Sequence, residues 1–199
     1  LSGGGWQTIT ISALDTRVTL SDPVAGYSSF LTRNHNFSDL GDSEQTPCDM
    51  ATVADYSHLT AMMAPRATLL TFNATDNCCF AAGHALPPLL AAARPIFNFY
   101  GKRENLWAHV NFSPGNHNFG RDNREALYRM FGAHFFADRT DYDATEIDVA
   151  DQVKTREQLH VAIPDNNATF VSLARRIASG LPRHPEIPAV DAKLETRQK

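Results

Sequence analysis

One short run constrains the fold more than any other feature: Ala67-Thr68-Leu69-Leu70-Thr71-Phe72, with Pro65 before it and Asn73-Ala74-Thr75-Asp76-Asn77 after it. Its apolar character runs straight through instead of alternating, so both faces of the strand it predicts must be covered. Parallel strands wrapped by crossover helices provide that cover, which sets the fold class as α/β. In open sheets of this kind functional groups collect just beyond the carboxyl ends of strands, and Asp76 stands there.

The segments around this run read as its partners. Leu106 to Phe112 alternates Leu106, Ala108, Val110 and Phe112 with Trp107, His109 and Asn111, predicting a strand that ends in the turn Ser113-Pro114-Gly115-Asn116 and delivers His117. Between the two strands, residues 83–93 read as a helix, and Pro95 to Tyr100 either continues it or crosses to the next element. Asp122 to Phe136 is a helix with Asp122 or Asn123 as its cap and Leu127, Met130, Phe131, His134 and Phe135 on its apolar face. Upstream, Trp6, Ile9, Ala13 and Leu14 space one face of a short helix, and because Thr8, Thr10 and Ile11 are mediocre helix formers, tertiary packing must hold it. Asp15 and Arg17 then read as a structural ion pair, and Val18 to Gly26 as a strand with a bend. This order predicts the second half of a doubly wound, mostly parallel sheet.

At the start of the chain, Ser2-Gly3-Gly4-Gly5 carries the x-S-G-G-G part of a nucleophile elbow, in which a serine sits on a sharp turn into a helix and small neighbours avoid backbone clashes. Acyl transfer needs such a hydroxyl beside an imidazole, and a carboxylate to orient that imidazole. Ser2, Asp76 and His117 supply these parts in the order Ser, Asp, His, the order α/β-type hydrolases use. The Gly3 N–H would be one oxyanion donor. His109 is the competing base and Asp55 the competing acid, whereas His84 and His134 read as packing or surface residues.

Residues 27–60 are polar and turn-rich without a clear period, which predicts a lid-like insertion. Tyr27, Arg33, His35 and His58, with Glu44 and Gln45, are its candidate substrate contacts.

Composition removes several function classes. The net charge is −4, with 18 basic and 22 acidic residues and no basic stripe, so nucleic acid is not an expected partner. No apolar run approaches the ~20 residues of a membrane span. No H-x-x-x-H, H-x-H or comparable ligand spacing occurs, so no metal site is expected. Cys48 and the adjacent Cys78 and Cys79 form no disulfide framework and read as buried thiols.

Ser2-Gly3-Gly4-Gly5-Trp6-Gln7-Thr8, Asp15-Thr16-Arg17, Asp55-Tyr56-Ser57-His58-Leu59-Thr60 running into Ala64-Pro65-Arg66, Asp76-Asn77-Cys78-Cys79-Phe80 and Pro114-Gly115-Asn116-His117-Asn118-Phe119 together carry a resemblance. Over about residues 1–136 the chain resembles the acetyl xylan esterase and prolyl-oligopeptidase-like group of bacterial α/β-hydrolases. The resemblance implies a triad at Ser2, Asp76 and His117, no cofactor, and a serine esterase acting on acyl or acetyl esters, commonly of carbohydrates. It also implies a secreted or periplasmic setting, and a preceding half of the same protein that supplies the remaining strands and the second oxyanion loop.

A serine peptidase on the same scaffold and a non-catalytic α/β module that binds carbohydrate or another domain are the alternatives. Residues 137–199 read as an extension or a linker to a further domain, with a helix around Ala168 to Ser179 and prolines 182, 185 and 188 marking an extended end.

Overall fold

The computed structural model describes residues 1–41, 45–47 and 49–182. Glu44, Cys48, Pro185 and Pro188 lie outside the described residues. The described residues fall into two compact units, one spanning Leu1–Asp148 and the other beginning at Val149. None of the described helices is long and apolar enough to cross a membrane.

The first unit is an α/β fold built on a parallel sheet. Its elements run α1 (Gly3–Leu14), β1 (Leu20–Ser21), α2 (Phe30–His35), α3 (Tyr56–Met62), β2 (Ala67–Asn73), α4 (Ala82–Phe99), β3 (Leu106–Asn111) and α5 (Arg121–Phe135). β2 is the central strand, flanked by β1 and β3. Leu20 pairs with Ala67, and the β2–β3 register runs from Thr68 opposite Leu106 to Asn73 opposite Asn111. Every residue of β2 is buried, as its unbroken apolar sequence requires. Alternate side chains serve different layers: Leu70 and Phe72 pack with Ile9, Tyr27, Tyr56, Met63 and Phe97, whereas Ala67 and Leu69 pack with Ala126 and Met130 of α5. The sheet is therefore covered on both faces, the doubly wound arrangement.

The crossover α4 is continuous through Pro87, Pro88 and Pro95. A proline inside a helix removes a hydrogen bond and costs about 3 kcal/mol. Here all three prolines are exposed, while Ala85, Leu86, Leu89, Leu90, Ala93 and Phe97 form a buried stripe on the opposite side. Burial of that stripe offsets the cost.

Within residues 27–60, where the sequence shows no period, the chain forms the short helices α2 and α3 with 3-10 turns at Phe37–Leu40 and Met50–Thr52. Tyr27, Tyr56 and Leu59 are core residues, and α3 packs between α1 and α4. Helices of six and seven residues are too short to display a hydrophobic period. The cap of α5 also differs from expectation. Gly120 occupies the N-cap without a side-chain bond, while the Asn123 side chain turns inward to Asn73 and Asn118.

Residues 137–148 fold back on α5. The Tyr142 hydroxyl donates to the Tyr128 carbonyl at 2.8 Å, and Arg124 pairs with Glu146. The Tyr142 ring lies over Gly132, where no Cβ would fit. In the second unit, α6 (Phe170–Gly180) begins with a reciprocal capping box between Thr169 and Ser172.

Candidate active site

The loops after β2 and β3 meet at the carboxyl edge of the sheet, and the turn into α1 is tied to the chain that follows β1. The turn into α1 holds Ser2 at φ 58 and ψ −129. A non-glycine residue there costs on the order of 1–3 kcal/mol and persists only when its surroundings impose it. The Ser2 N–H donates to the Val24 carbonyl at 3.0 Å, and Val24 is bridged to Thr71 of β2. The backbones of Gly5 and Gly26 touch, and a Cβ on Gly5 would lie 2.5 Å from the Val24 oxygen. These contacts tie the elbow to the end of the sheet. The Ser2 side chain caps nothing, and its Oγ makes no hydrogen bond to His117. Gly3 is the first residue of α1, where an N–H has no carbonyl within the helix to bond.

The loop after β2 presents Asp76, whose side chain is fully buried. Its Oδ1 accepts from the backbone N–H groups of Cys78 and Cys79 at 3.0 and 3.2 Å, and its Oδ2 from Asn73 Nδ2 at 3.0 Å. Both oxygens lie 2.9 Å from His117 Nδ1. This contact leaves Nε2 as the nitrogen available for proton transfer. The His117 side chain is 20% exposed, so part of the ring stays open to solvent. Its backbone N–H donates to Asn77 Oδ1 at 3.0 Å, which joins the two loops.

Buried asparagines support this pair, and sequence reasoning missed them. Asn73 and Asn111 end neighbouring strands in register. Asn123 Nδ2 donates to Asn73 Oδ1 at 3.0 Å and to the Asn118 carbonyl at 2.9 Å, while Asn111 Oδ1 accepts from Gly115 N–H at 2.9 Å. Asn73, Asn111 and Asn123 are all buried. The available signal was an asparagine at the end of each strand with Asn118 and Asn123 close behind.

The other candidates occupy different places. His109 pairs through Nε2 with Asp122 at 2.9 Å, a carboxylate separate from Asp76. Asp55 and His58 form the capping box of α3. Tyr27 is fully buried, with its hydroxyl 3.0 Å from Thr60 Oγ1, and burial pushes its phenol well above the ordinary range. His35 is exposed in the last turn of α2.

His84, expected at the surface or in packing, pairs through Nε2 with the buried Asp39 at 3.0 Å, and Asp39 also accepts from the Phe80 N–H. Arg33 is buried, with its guanidinium 4.7 Å from the Tyr56 ring centre, and it donates to the Gln45 carbonyl at 2.8 Å. Its Nε and Nη2 have no partner among the described residues, and burial lowers its pKa. Tyr56 connects this group to α1, because its hydroxyl accepts from Trp6 Nε1 at 2.6 Å and donates to the Gln45 carbonyl.

Asp15 and Arg17 form the expected ion pair. Cys79 is buried as expected, but Cys78 is exposed, a correction to the buried-thiol reading. The tight wrap of the loop around Asp76 turns the Cys78 side chain outward. Among the described residues one group of metal-ligating side chains converges, Cys78, Cys79 and His117, with ligand atoms all within 4.8 Å of one another.

No protein-family model matches the chain, and no curated protein matches it by sequence. Solved structures do match. Methylesterase BT1017 aligns at a TM-score of 0.53 with 23% identity over 68% of this chain and 28% of that one. The glucuronoyl esterase catalytic domain from Hypocrea jecorina aligns at 0.53 with 15% identity over 72% of this chain and 45% of that one. A carbohydrate esterase family 15 glucuronoyl esterase from Caldicellulosiruptor kristjansonii aligns at 0.51 with 14% identity over 82% of this chain and 48% of that one. These likenesses establish a shared fold, and the chain spans between about a quarter and a half of the length of those structures.

Proposed function

We propose that this protein hydrolyses carboxylic esters of carbohydrates, of the acetyl or another acyl type, through Ser2, His117 and Asp76. One observation carries the reading: His117 Nδ1 is held 2.9 Å from both oxygens of a fully buried carboxylate at the sheet edge toward which the strained Ser2 turn is tied. Asp76 fixes the imidazole's tautomer and orientation and stabilises the imidazolium formed during reaction. His117 Nε2 accepts the Ser2 proton as Oγ attacks the ester carbonyl, and returns it to the departing alkoxide. The Gly3 N–H, at the positive end of α1, stabilises the oxyanion. Water then attacks the acyl-enzyme with the same base. The fold shared with three solved esterases of the methylesterase and glucuronoyl esterase kinds supports the ester-hydrolase reading.

The test compares the full-length protein with its Ser2→Ala variant on p-nitrophenyl acetate, acetylated xylo-oligosaccharides, uronic acid esters and short peptide amides. The reading predicts turnover of esters and not amides, lost on removal of Oγ by a factor on the order of 10³ or more. Unchanged ester turnover in Ser2→Ala contradicts it, and a preference for amides replaces it with a peptidase.

A further inference from the structure

We propose that Cys78, Cys79 and His117 form a binding site for one thiophilic divalent cation, of the zinc and cadmium class, and that occupation of this site switches the esterase off. Sequence spacing hides the site, because two adjacent cysteines and a distant histidine match no ligand pattern. The fold assembles it. The carboxylate of Asp76 draws the N–H groups of both Cys78 and Cys79 onto its Oδ1, and this wraps the backbone so tightly that the two sulfurs come to 3.1 Å from each other. The same carboxylate holds the His117 ring beside them. One buried anchor therefore preorganises all three ligands, whose donor atoms lie within 4.8 Å of one another.

The chemistry of the set selects the ion. Two thiolates and an imidazole suit zinc or cadmium and disfavour magnesium or calcium. Zinc–sulfur bonds of about 2.3 Å at a tetrahedral angle put two ligating sulfurs ~3.8 Å apart, so the pair opens by less than ~1 Å on binding. Cys79 is buried while Cys78 is exposed, leaving an open side for entry and for water in the fourth position. Binding forms two metal–sulfur bonds and one metal–nitrogen bond and releases two thiol protons, with no change of oxidation state. Because cysteine ligates as the thiolate, affinity increases with pH. A cation on either ring nitrogen removes His117 from proton transfer. This inhibitory half rests on the proposed triad, whereas the binding half does not.

The experiment titrates the full-length protein, kept reduced with a phosphine and carrying Cys48→Ser, with Cd²⁺ alone. Binding is read from the ultraviolet thiolate-to-cadmium charge-transfer band and from equilibrium dialysis, and ester turnover is followed in parallel. The expected result is one Cd²⁺ per chain, a band lost in the Cys78→Ser, Cys79→Ser double variant, and affinity reduced about tenfold or more in His117→Ala. Serine keeps both backbone N–H groups on Asp76. Turnover falls in step with occupancy, returns with a chelator, and in the double variant the residual rate, scaled to its own metal-free value, is insensitive to the same Cd²⁺. A band or stoichiometry unchanged by the double substitution overturns the site. Stoichiometric binding without inhibition overturns the switch. Stoichiometric binding in a protein with no metal-free ester turnover supports the site and sinks the triad instead.

Discussion

Gly5 and Gly26 meet with their backbones in contact: a Cβ on Gly5 would stand 3.1 Å from the Gly26 Cα, and one on Gly26 would stand 2.6 Å from the Gly5 carbonyl carbon and 2.4 Å from both the Ser2 carbonyl oxygen and the Trp6 nitrogen. This contact is what allows Ser2 to be held at φ 58 beside the end of the sheet. Gly4, one residue earlier in the same helix, faces open space: a methyl group there would meet no described atom within 4 Å.

The three glycines therefore separate cleanly on substitution. Gly26→Ala and Gly5→Ala each force backbone apart, with an expected loss of about 3 kcal/mol or more and loss of turnover together. Gly4→Ala, in an open helical position, is expected to be neutral or to stabilise by about 0.5–1 kcal/mol. Thermal unfolding of the three variants checks the contrast, and equal effects would remove the glycine contact as the support of the elbow.

Asn73 acts on the carboxylate, and Asn123 acts on Asn73. Asn73→Ala deletes a donor to a buried charged group, expected to cost about 1–3 kcal/mol and to lower kcat about 10- to 100-fold with little change in KM. Asn123→Ala lies one hydrogen bond further out and is expected to lower the melting temperature with a smaller loss of kcat. Steady-state kinetics alongside calorimetry test the order, and a larger kcat effect for Asn123→Ala reverses it.

Asp22 gives the fold a pH dependence of definite sign. It lies in a cleft of about 820 Å³ between α1, β1 and α5 that is lined by Leu20, Leu127 and Phe131 among others. Burial raises its pKa from 3.8 to about 7, offset in part by the Thr71 hydroxyl that donates to Oδ1 at 2.7 Å. Its Oδ2 has no partner among the described residues. Between these two pH values the folded chain keeps a proton that the unfolded chain has released, so stability falls as pH rises through the window and levels off above it. Asp22→Asn is expected to gain stability relative to the unsubstituted chain as pH rises from 4 to 8, by on the order of a few kcal/mol. Denaturant unfolding across that range measures the difference, and a pH-independent gap contradicts the assignment.

Arg33 keeps two guanidinium nitrogens, Nε and Nη2, buried without partners among the described residues, beside the Tyr56 ring. Arg33→Met, apolar and of similar length, is expected to leave stability within about 1 kcal/mol or to raise it, whereas Arg33→Ala opens a cavity and costs about 2–5 kcal/mol. Equal destabilisation by both substitutions would mean that the guanidinium's charge, rather than its volume, holds the loop.

Much of this architecture was legible in the sequence because it rests on local signals. The unbroken apolar run of β2, the alternating sequence of β3 and the helical spacing of α5 each declare one element, although Phe131 and Phe135 of the expected α5 face are exposed and burial in β3 does not alternate; the segments just after β2 and β3 deliver Asp76 and His117. What stayed hidden depends on registers that no local pattern encodes. The asparagine framework follows from Asn73 standing opposite Asn111, and the glycine contact follows from α1 meeting the chain after β1. α4 was ambiguous because its prolines argue locally against a helix that its buried stripe supports from a distance. Cys78 and Cys79 lie next to His117 only once Asp76 has wrapped the loop.

The measurement that bears most directly on the triad is the mass of the full-length protein after exposure to a fluorophosphonate, with the adduct located by peptide mapping. A working triad predicts one adduct per chain, on Ser2 Oγ, formed far more slowly in His117→Ala and in Asp76→Ala. A protein that stays unlabelled while it hydrolyses esters, or one labelled at another serine at the same rate in all three forms, contradicts the assignment of Ser2, His117 and Asp76.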